Sequence, residues 1–183
     1  MALFLGSKQL AEIYLGNRAV AEIYRGADLI YANLKNIYKD GVLMDGATTS
    51  GFGRSLNDIF LVVGGGLQTG PSDKQDFGYV RFDFTPYKTI KVIGQTWFSG
   101  YSGNYYNKKL GIDSATGAGS IELPNAYRGI WGTEGSPADF EETFDVSELT
   151  GQHTVAAYGR TGNVSDYYPA YTHIHITQII GGR

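Results

Sequence analysis

The chain has no cysteine, and among its 183 residues there are two methionines, five prolines and three histidines. Without thiols, neither disulfide staples nor thiolate metal sites can hold it together, so stability must come from packing and assembly. Charge is also scarce: 18% of residues are charged and the formal net charge is −3. Lys88, Lys91, Lys108 and Lys109 are scattered or paired and read as a solvated sheet face, not a basic patch. Phosphate binding wants clustered Lys and Arg, which excludes nucleic acid as the expected partner. No run approaches the roughly 18 apolar residues of a membrane span, and the first residues lack a basic region followed by an apolar stretch. Neither membrane insertion nor a secretory leader is expected. The Ala-Glu-Lys-Leu runs that long helices need are few as well.

Glycine and aromatics are abundant, with 26 Gly, 14 Tyr and 9 Phe, a composition that points to β structure. The N-terminal stretch repeats itself in steps of ten residues: Phe4-Leu5-Gly6, Tyr14-Leu15-Gly16 and Tyr24-Arg25-Gly26 fall in register, each followed four residues after its Gly by Leu10, Val20 or Ile30. Fixed-period similarity marks a repeated supersecondary unit. A helix would lose about 1 kcal/mol at each Gly, whereas Gly-Ser and Gly-Asn are turn signals for hairpins. Folding at Gly16-Asn17 sets Ile13 opposite Val20 and Leu10 opposite Ile23; folding at Gly26-Ala27 sets Arg25 opposite Asp28 and Ile23 opposite Ile30. So narrow a meander cannot bury its own faces. Its apolar residues Leu10, Ile13, Tyr14, Val20, Ile23, Tyr24 and Ile30 are therefore expected to form an oligomerisation surface, most simply of a trimer. The competing arrangement packs the same residues on the chain's own C-terminal part.

The rest of the chain predicts an all-β fold with an N-terminal hairpin module, residues 1–34, followed by an antiparallel jelly-roll-like sandwich, residues 35–183. Asp40-Gly41 signals a hairpin, and Ile59 to Val63 reads as a buried strand ended by Gly64-Gly65-Gly66. Lacking a following Lys-Ser/Thr, that glycine run is a loop and not a phosphate cradle. Val80, Phe82 and Phe84 alternate with Tyr79, Arg81 and Asp83, and Ile90 and Val92 alternate with Thr89, Lys91 and Ile93. Tyr106, Lys108 and Leu110 share one face of a further strand. Thr143 to Arg160 reads as a strand, a tight turn and a second strand, and the final strand holds Thr172 to Thr177.

No convergent catalytic set emerges, so no enzyme is expected. Glu141 and Glu142 are adjacent and point apart on a strand, and Ser147 and His153 lack a nucleophile-elbow context. His173 and His175 lie on one face of their strand, opposite Ile174 and Ile176, and two imidazoles so placed are a candidate transition-metal site. No other cofactor is implied. For a sugar ligand the candidates are the aromatics in Gly/Ser-rich loops, Tyr101, Tyr105, Trp131, Tyr167 and Tyr168, while Trp97 is assigned to the core.

The segment Ile13-Tyr14-Leu15-Gly16-Asn17-Arg18-Ala19-Val20-Ala21-Glu22-Ile23-Tyr24-Arg25-Gly26 resembles the short repeats at the starts of tailed-phage tail, baseplate and fibre proteins. Phe144 to Val155, with its Asp-Val-Ser-x-Leu-x-Gly turn, is similar to the penultimate strands of carbohydrate-binding jelly rolls and of virion sandwich domains. The resemblance implies a noncatalytic virion protein, a fibre or baseplate subunit that assembles with other virion proteins and binds a host surface glycan. It equally allows a capsid decoration or head fibre, and the sandwich alone would suit a cellular carbohydrate-binding module. His-x-His pairs in trimeric phage fibres gather at the threefold axis around a metal, which is the role the resemblance implies for His173 and His175.

Overall fold

The computed structural model describes residues 4–5, 8–9, 14–15, 18–19, 22–25, 28–32, 34–65, 72–100, 106–124, 137–164 and 170–183. Among them every regular element is a strand. β1 (Phe4–Leu5) pairs with β2 (Lys8–Gln9), β3 (Tyr14–Leu15) with β4 (Arg18–Ala19), and β5 (Glu22–Arg25) with β6 (Asp28–Ala32). Among the described residues the three pairs belong to three separate two-stranded sheets, and the expected pairing of Leu10 with Ile23 lies outside the described residues. Arg25 does face Asp28, but a register shift sets Ile23 opposite Tyr31 instead of Ile30. Of the residues assigned to oligomerisation, Leu10, Ile13 and Val20 lie outside the described residues; Tyr14 is in β3, Ile23 and Tyr24 in β5, and Ile30 in β6.

From Leu34 onward the chain builds two sheets. The strands are β7 (Leu34–Lys39), β8 (Val42–Leu43), β9 (Thr48–Ser50), β10 (Gly53–Arg54), β11 (Ile59–Gly65) and β12 (Ser72–Asp83). They continue with β13 (Thr89–Gly100), β14 (Tyr106–Ile112), β15 (Ile121–Glu122), β16 (Ala138–Asp145), β17 (Gln152–Val164) and β18 (Ala170–Gly182). One sheet runs β10-β11-β18-β13-β16, with β7 also on β18 and β8 on β7; the other runs β15-β14-β17-β12-β9. Successive strands cross between the sheets, so that β18 lies between β11 and β13 while β17 lies between β12 and β14. That is the jelly-roll order, in which strands distant in sequence become neighbours.

Alternation drives this arrangement. Ile59, Leu61, Val63, Ile90, Val92, Ile174 and Ile176 on one sheet face Val80, Phe82, Leu110, Val155 and Ala157 on the other, and all are buried. Each of the larger side chains contributes roughly 1.5–3 kcal/mol by leaving water. The β7–β8 turn at Asp40-Gly41 has φ of 50° and 80°, the positive pair that a type I′ hairpin requires and that Asp and Gly tolerate.

The segment Thr143 to Arg160 runs as a strand, a turn and a second strand; β16 and β17 belong to opposite sheets, so the turn between them, closed by Ser147 N–H on Asp145 Oδ1, bridges the sandwich. Two expectations need correction. Strand β11 is buried on one face: Ile59, Leu61 and Val63 are buried, whereas Val62 on the other face is 40% exposed. Lys108 is not solvated. It shares the inward face with Leu110 and is 2% exposed.

Candidate functional site

The outer face of the seven-stranded sheet carries a continuous row of rings. In β18, Ile174 and Ile176 point into the core, which sends Tyr171, His173 and His175 outward. In β13 the even-numbered residues from Ile90 to Thr96 are buried, so Trp97 faces outward opposite His173. Trp97 is thus a half-buried surface residue, and its expected core position is wrong: parity carried two residues past Gln95 decides it. Phe60 in β11 stands opposite His175. The order across the face is Phe60, His175, Trp97, His173, Tyr171.

These rings touch one another. Trp97 stacks on His173 with centroids 4.6 Å apart and planes 10° apart, and it lies 4.5 Å from His175. Phe60 stacks on His175 at 5.4 Å, and Tyr171 lies 6.2 Å from His173. Such pairs add about 0.5–1.5 kcal/mol each beyond area burial and fix the rings in place. Phe60 is oriented by its cross-strand partner Gly53, where a Cβ would come within 2.4 Å of the ring. Glycine there lets the ring lie across the neighbouring backbone.

Hydrogen bonds lock the two imidazoles. His175 Nδ1 lies 2.5 Å from Asp58 Oδ2, with the His175 and Asp58 side chains 22% and 17% exposed. A carboxylate accepts only, so Nδ1 carries the proton. Asp58 is held in turn by Ser55, whose Oγ donates to Asp58 Oδ1 and accepts from the Asp58 and Asn57 amides. His173 Nε2 lies 3.0 Å from Ser99 Oγ, and Thr96 Oγ1 donates to the His173 carbonyl. The serine and the carboxylate therefore engage different imidazoles, which is not the serine-histidine-carboxylate relay of acyl transfer.

Beside the row lies an open groove of about 530 Å³, lined by Ile93, Gly94, Gln95, Asp139, Phe140, Glu141 and Thr177. It forms where β18 carries one extra residue against β13: Ile93 pairs with Gln178 but Gly94 with Ile176, leaving Thr177 as a bulge. Bulges next to sites re-aim side chains in this way. Gln95 Nε2 donates to Asp139 Oδ1 at 2.8 Å, and Lys91 Nζ pairs with Glu141 at 2.6 Å. Gln95 joins groove to row, since it faces His175 across the ladder and precedes Trp97 by two residues.

No family model, curated protein or solved structure matches this chain. The site must be judged on its own chemistry.

The candidate sugar ligands Tyr101, Tyr105, Trp131, Tyr167 and Tyr168 lie outside the described residues. His173 and His175 do share an outward face, with ring centres 6.3 Å apart. Aromatic rings pack against both, and Asp58, the carboxylate beside His175, is spent on its Nδ1. Among the described residues, no group of three or more His, Cys, Asp and Glu is placed to hold a metal. As a metal centre the pair is incomplete within the described residues of one chain; as part of an aromatic surface it is fully supported by its neighbours. Sequence reasoning missed Phe60, Asp58 and the outward Trp97. Alternation within β11 and β13 was the available signal for the two rings, whereas the Asp58–His175 contact, 117 residues apart, has none.

A second clamped histidine stands away from this face. His153 Nδ1 lies 2.7 Å from Asp113 Oδ2, and its Nε2 lies 3.1 Å from the Thr150 carbonyl. The Asp113 hydrogen bond pushes the His153 pKa up. Partial burial opposes ionisation of Asp113, but hydrogen bonds from His153 and Thr154 outweigh it and hold the carboxyl below its ordinary range.

Proposed function

We propose that this chain is a noncatalytic glycan-binding protein, with the outer face of its seven-stranded sheet as the binding surface. One observation carries the reading: five adjoining, partly exposed rings, Phe60, His175, Trp97, His173 and Tyr171, beside a groove furnished with amide, hydroxyl and carboxylate groups. A pyranose ring has apolar C–H faces and a rim of hydroxyls. An aromatic row takes the faces, and flanking Gln95, Asp139 and Thr177 take the rim, the mix of apolar wall and few polar groups that ligand sites use. Rings already locked by stacking and by the Asp58 and Ser99 hydrogen bonds lose little freedom on binding.

The setting we propose is a virion fibre or baseplate subunit recognising a host surface glycan. It is supported by the resemblance of the N-terminal decapeptides to phage tail repeats. In that setting the hairpins assemble copies of the chain, most simply three, with other virion proteins. Several copies on one particle raise avidity by about 10²- to 10⁴-fold where their spacing permits simultaneous contact.

A glycan array probed with the full chain and with Trp97→Ala tests the reading. The full chain is expected to bind a restricted set of glycans, and Trp97→Ala to lose about tenfold or more in affinity while keeping its thermal unfolding transition. An unchanged array pattern for a folded Trp97→Ala, or no glycan bound by the full chain, overturns it.

A further inference from the structure

Resting on the glycan reading, we infer that this surface takes uncharged glycans and discriminates against those carrying carboxylate or sulfate. The basis is the balance of charge around the groove and row. Asp139 and Glu141 line the groove, and Asp58 stands behind His175 in the row. The single ammonium among these groups, Lys91, is tied to Glu141 at 2.6 Å. The next along this face, Lys39, lies across β18 beside Gln178. Among the described residues the three carboxylates outnumber the paired Lys91, and Arg54 stands on the edge strand β10 beside Ile59, so the groove itself is the negative part of this surface.

The polar groups also suit hydroxyls better than anions. Gln95 spends one of its two amide N–H groups on Asp139, and Thr177 Oγ1 donates to the Ile93 carbonyl. What these two side chains and the carboxylates offer inward is mostly acceptors, which match the donating O–H groups of a neutral sugar. An acidic sugar would bring acceptor to acceptor and like charge to like charge. Juxtaposed like charges suppress the wrong partner, and in so open a groove salt screens the effect.

The test compares matched pairs on the array, lactose and N-acetyllactosamine chains against their sialylated or sulfated derivatives, at about pH 7.5. The neutral member of each bound pair is expected to bind about tenfold more tightly at 0.1 M salt, with the ratio shrinking toward unity at 1 M, where the Debye length is only about 3 Å. Asp139→Lys combined with Glu141→Lys is expected to reverse the preference; both positions are exposed, so the fold tolerates the change. Acidic members binding as tightly as neutral ones in the full chain would overturn the selectivity while leaving the glycan reading intact. Binding to no member of any pair would overturn both.

Discussion

Replacing Lys108 with methionine should stabilise the protein, and the size of the effect follows from where the ammonium sits. Lys108 is 2% exposed, its Nζ has no hydrogen-bond partner among the described residues, and the Phe98 ring lies 5.5 Å away. Burial pushes its pKa down from 10.5 to about 8. A displacement of that size corresponds to about 3 kcal/mol spent on keeping the folded chain protonated at neutral pH. The cation–π contact is lost with the charge, returning about 1 kcal/mol, and methionine keeps the apolar stem. The net gain is about 2 kcal/mol, or roughly 4–8 °C in Tm for a chain of this size. The sign with pH is fixed. Between about pH 8 and 10.5 the unfolded lysine still holds its proton while the folded one has released it, so the wild-type protein gains stability as pH rises through that window. Urea unfolding of both proteins at pH 7 and at about pH 9.5 reads this directly: the advantage of Lys108→Met should shrink by more than 1 kcal/mol at the higher pH. Groups common to both proteins cancel in the comparison. A variant no more stable at pH 7, or an advantage independent of pH, refutes the reasoning.

Gly41→Ala should cost about 1–3 kcal/mol in denaturant unfolding, because φ is +80° and the new Cβ would lie 2.5 Å from the Leu56 carbonyl oxygen. Asp113→Asn keeps an acceptor for the Thr154 amide and tolerates the positive φ of 59°, but it removes the charge facing His153. The His153 pKa, followed by NMR, should fall. The raised His153 pKa contributes stability that is present at low pH and lost as pH rises through the folded value, whereas the lowered Asp113 pKa contributes stability that is lost as pH falls through its own. The variant's deficit should therefore peak between the two and, at so exposed a pair, stay near 0.5 kcal/mol. Asp58→Asn should release the His175 clamp and weaken glycan binding several-fold in calorimetry with little change in Tm. Full affinity in that variant would show that the clamp is dispensable.

Alternation made much of the sandwich legible. Val80, Phe82 and Phe84, Ile90 and Val92, and Ile174 and Ile176 occupy the inward positions that period two assigns them. Asp40-Gly41 makes its turn because only residues tolerant of positive φ fit there. What the sequence did not disclose is which strands become neighbours. Locally β16 to β17 reads as a strand, a turn and a strand, but that the two strands enter opposite sheets is set by packing across the whole core. Lys108 was misread because its alternation partner Leu110 was weighed less than its charge. Trp97 was misread for the opposite reason, when its size was weighed above its parity. The aromatic surface itself is assembled from three strands, β11, β13 and β18, and register between distant strands leaves no mark in a single sequence.

The sharpest test of the binding surface uses Trp97 as its own reporter. The chain has two tryptophans, so Trp131→Phe leaves Trp97 as the sole indole emitter. Titrated with the neutral oligosaccharide that gives the strongest array signal, this variant should show a saturable change in indole emission whose midpoint equals the calorimetric Kd. Calorimetric binding of that oligosaccharide with Trp97 emission unchanged would contradict the account, because it would put the sugar somewhere other than against the row of rings.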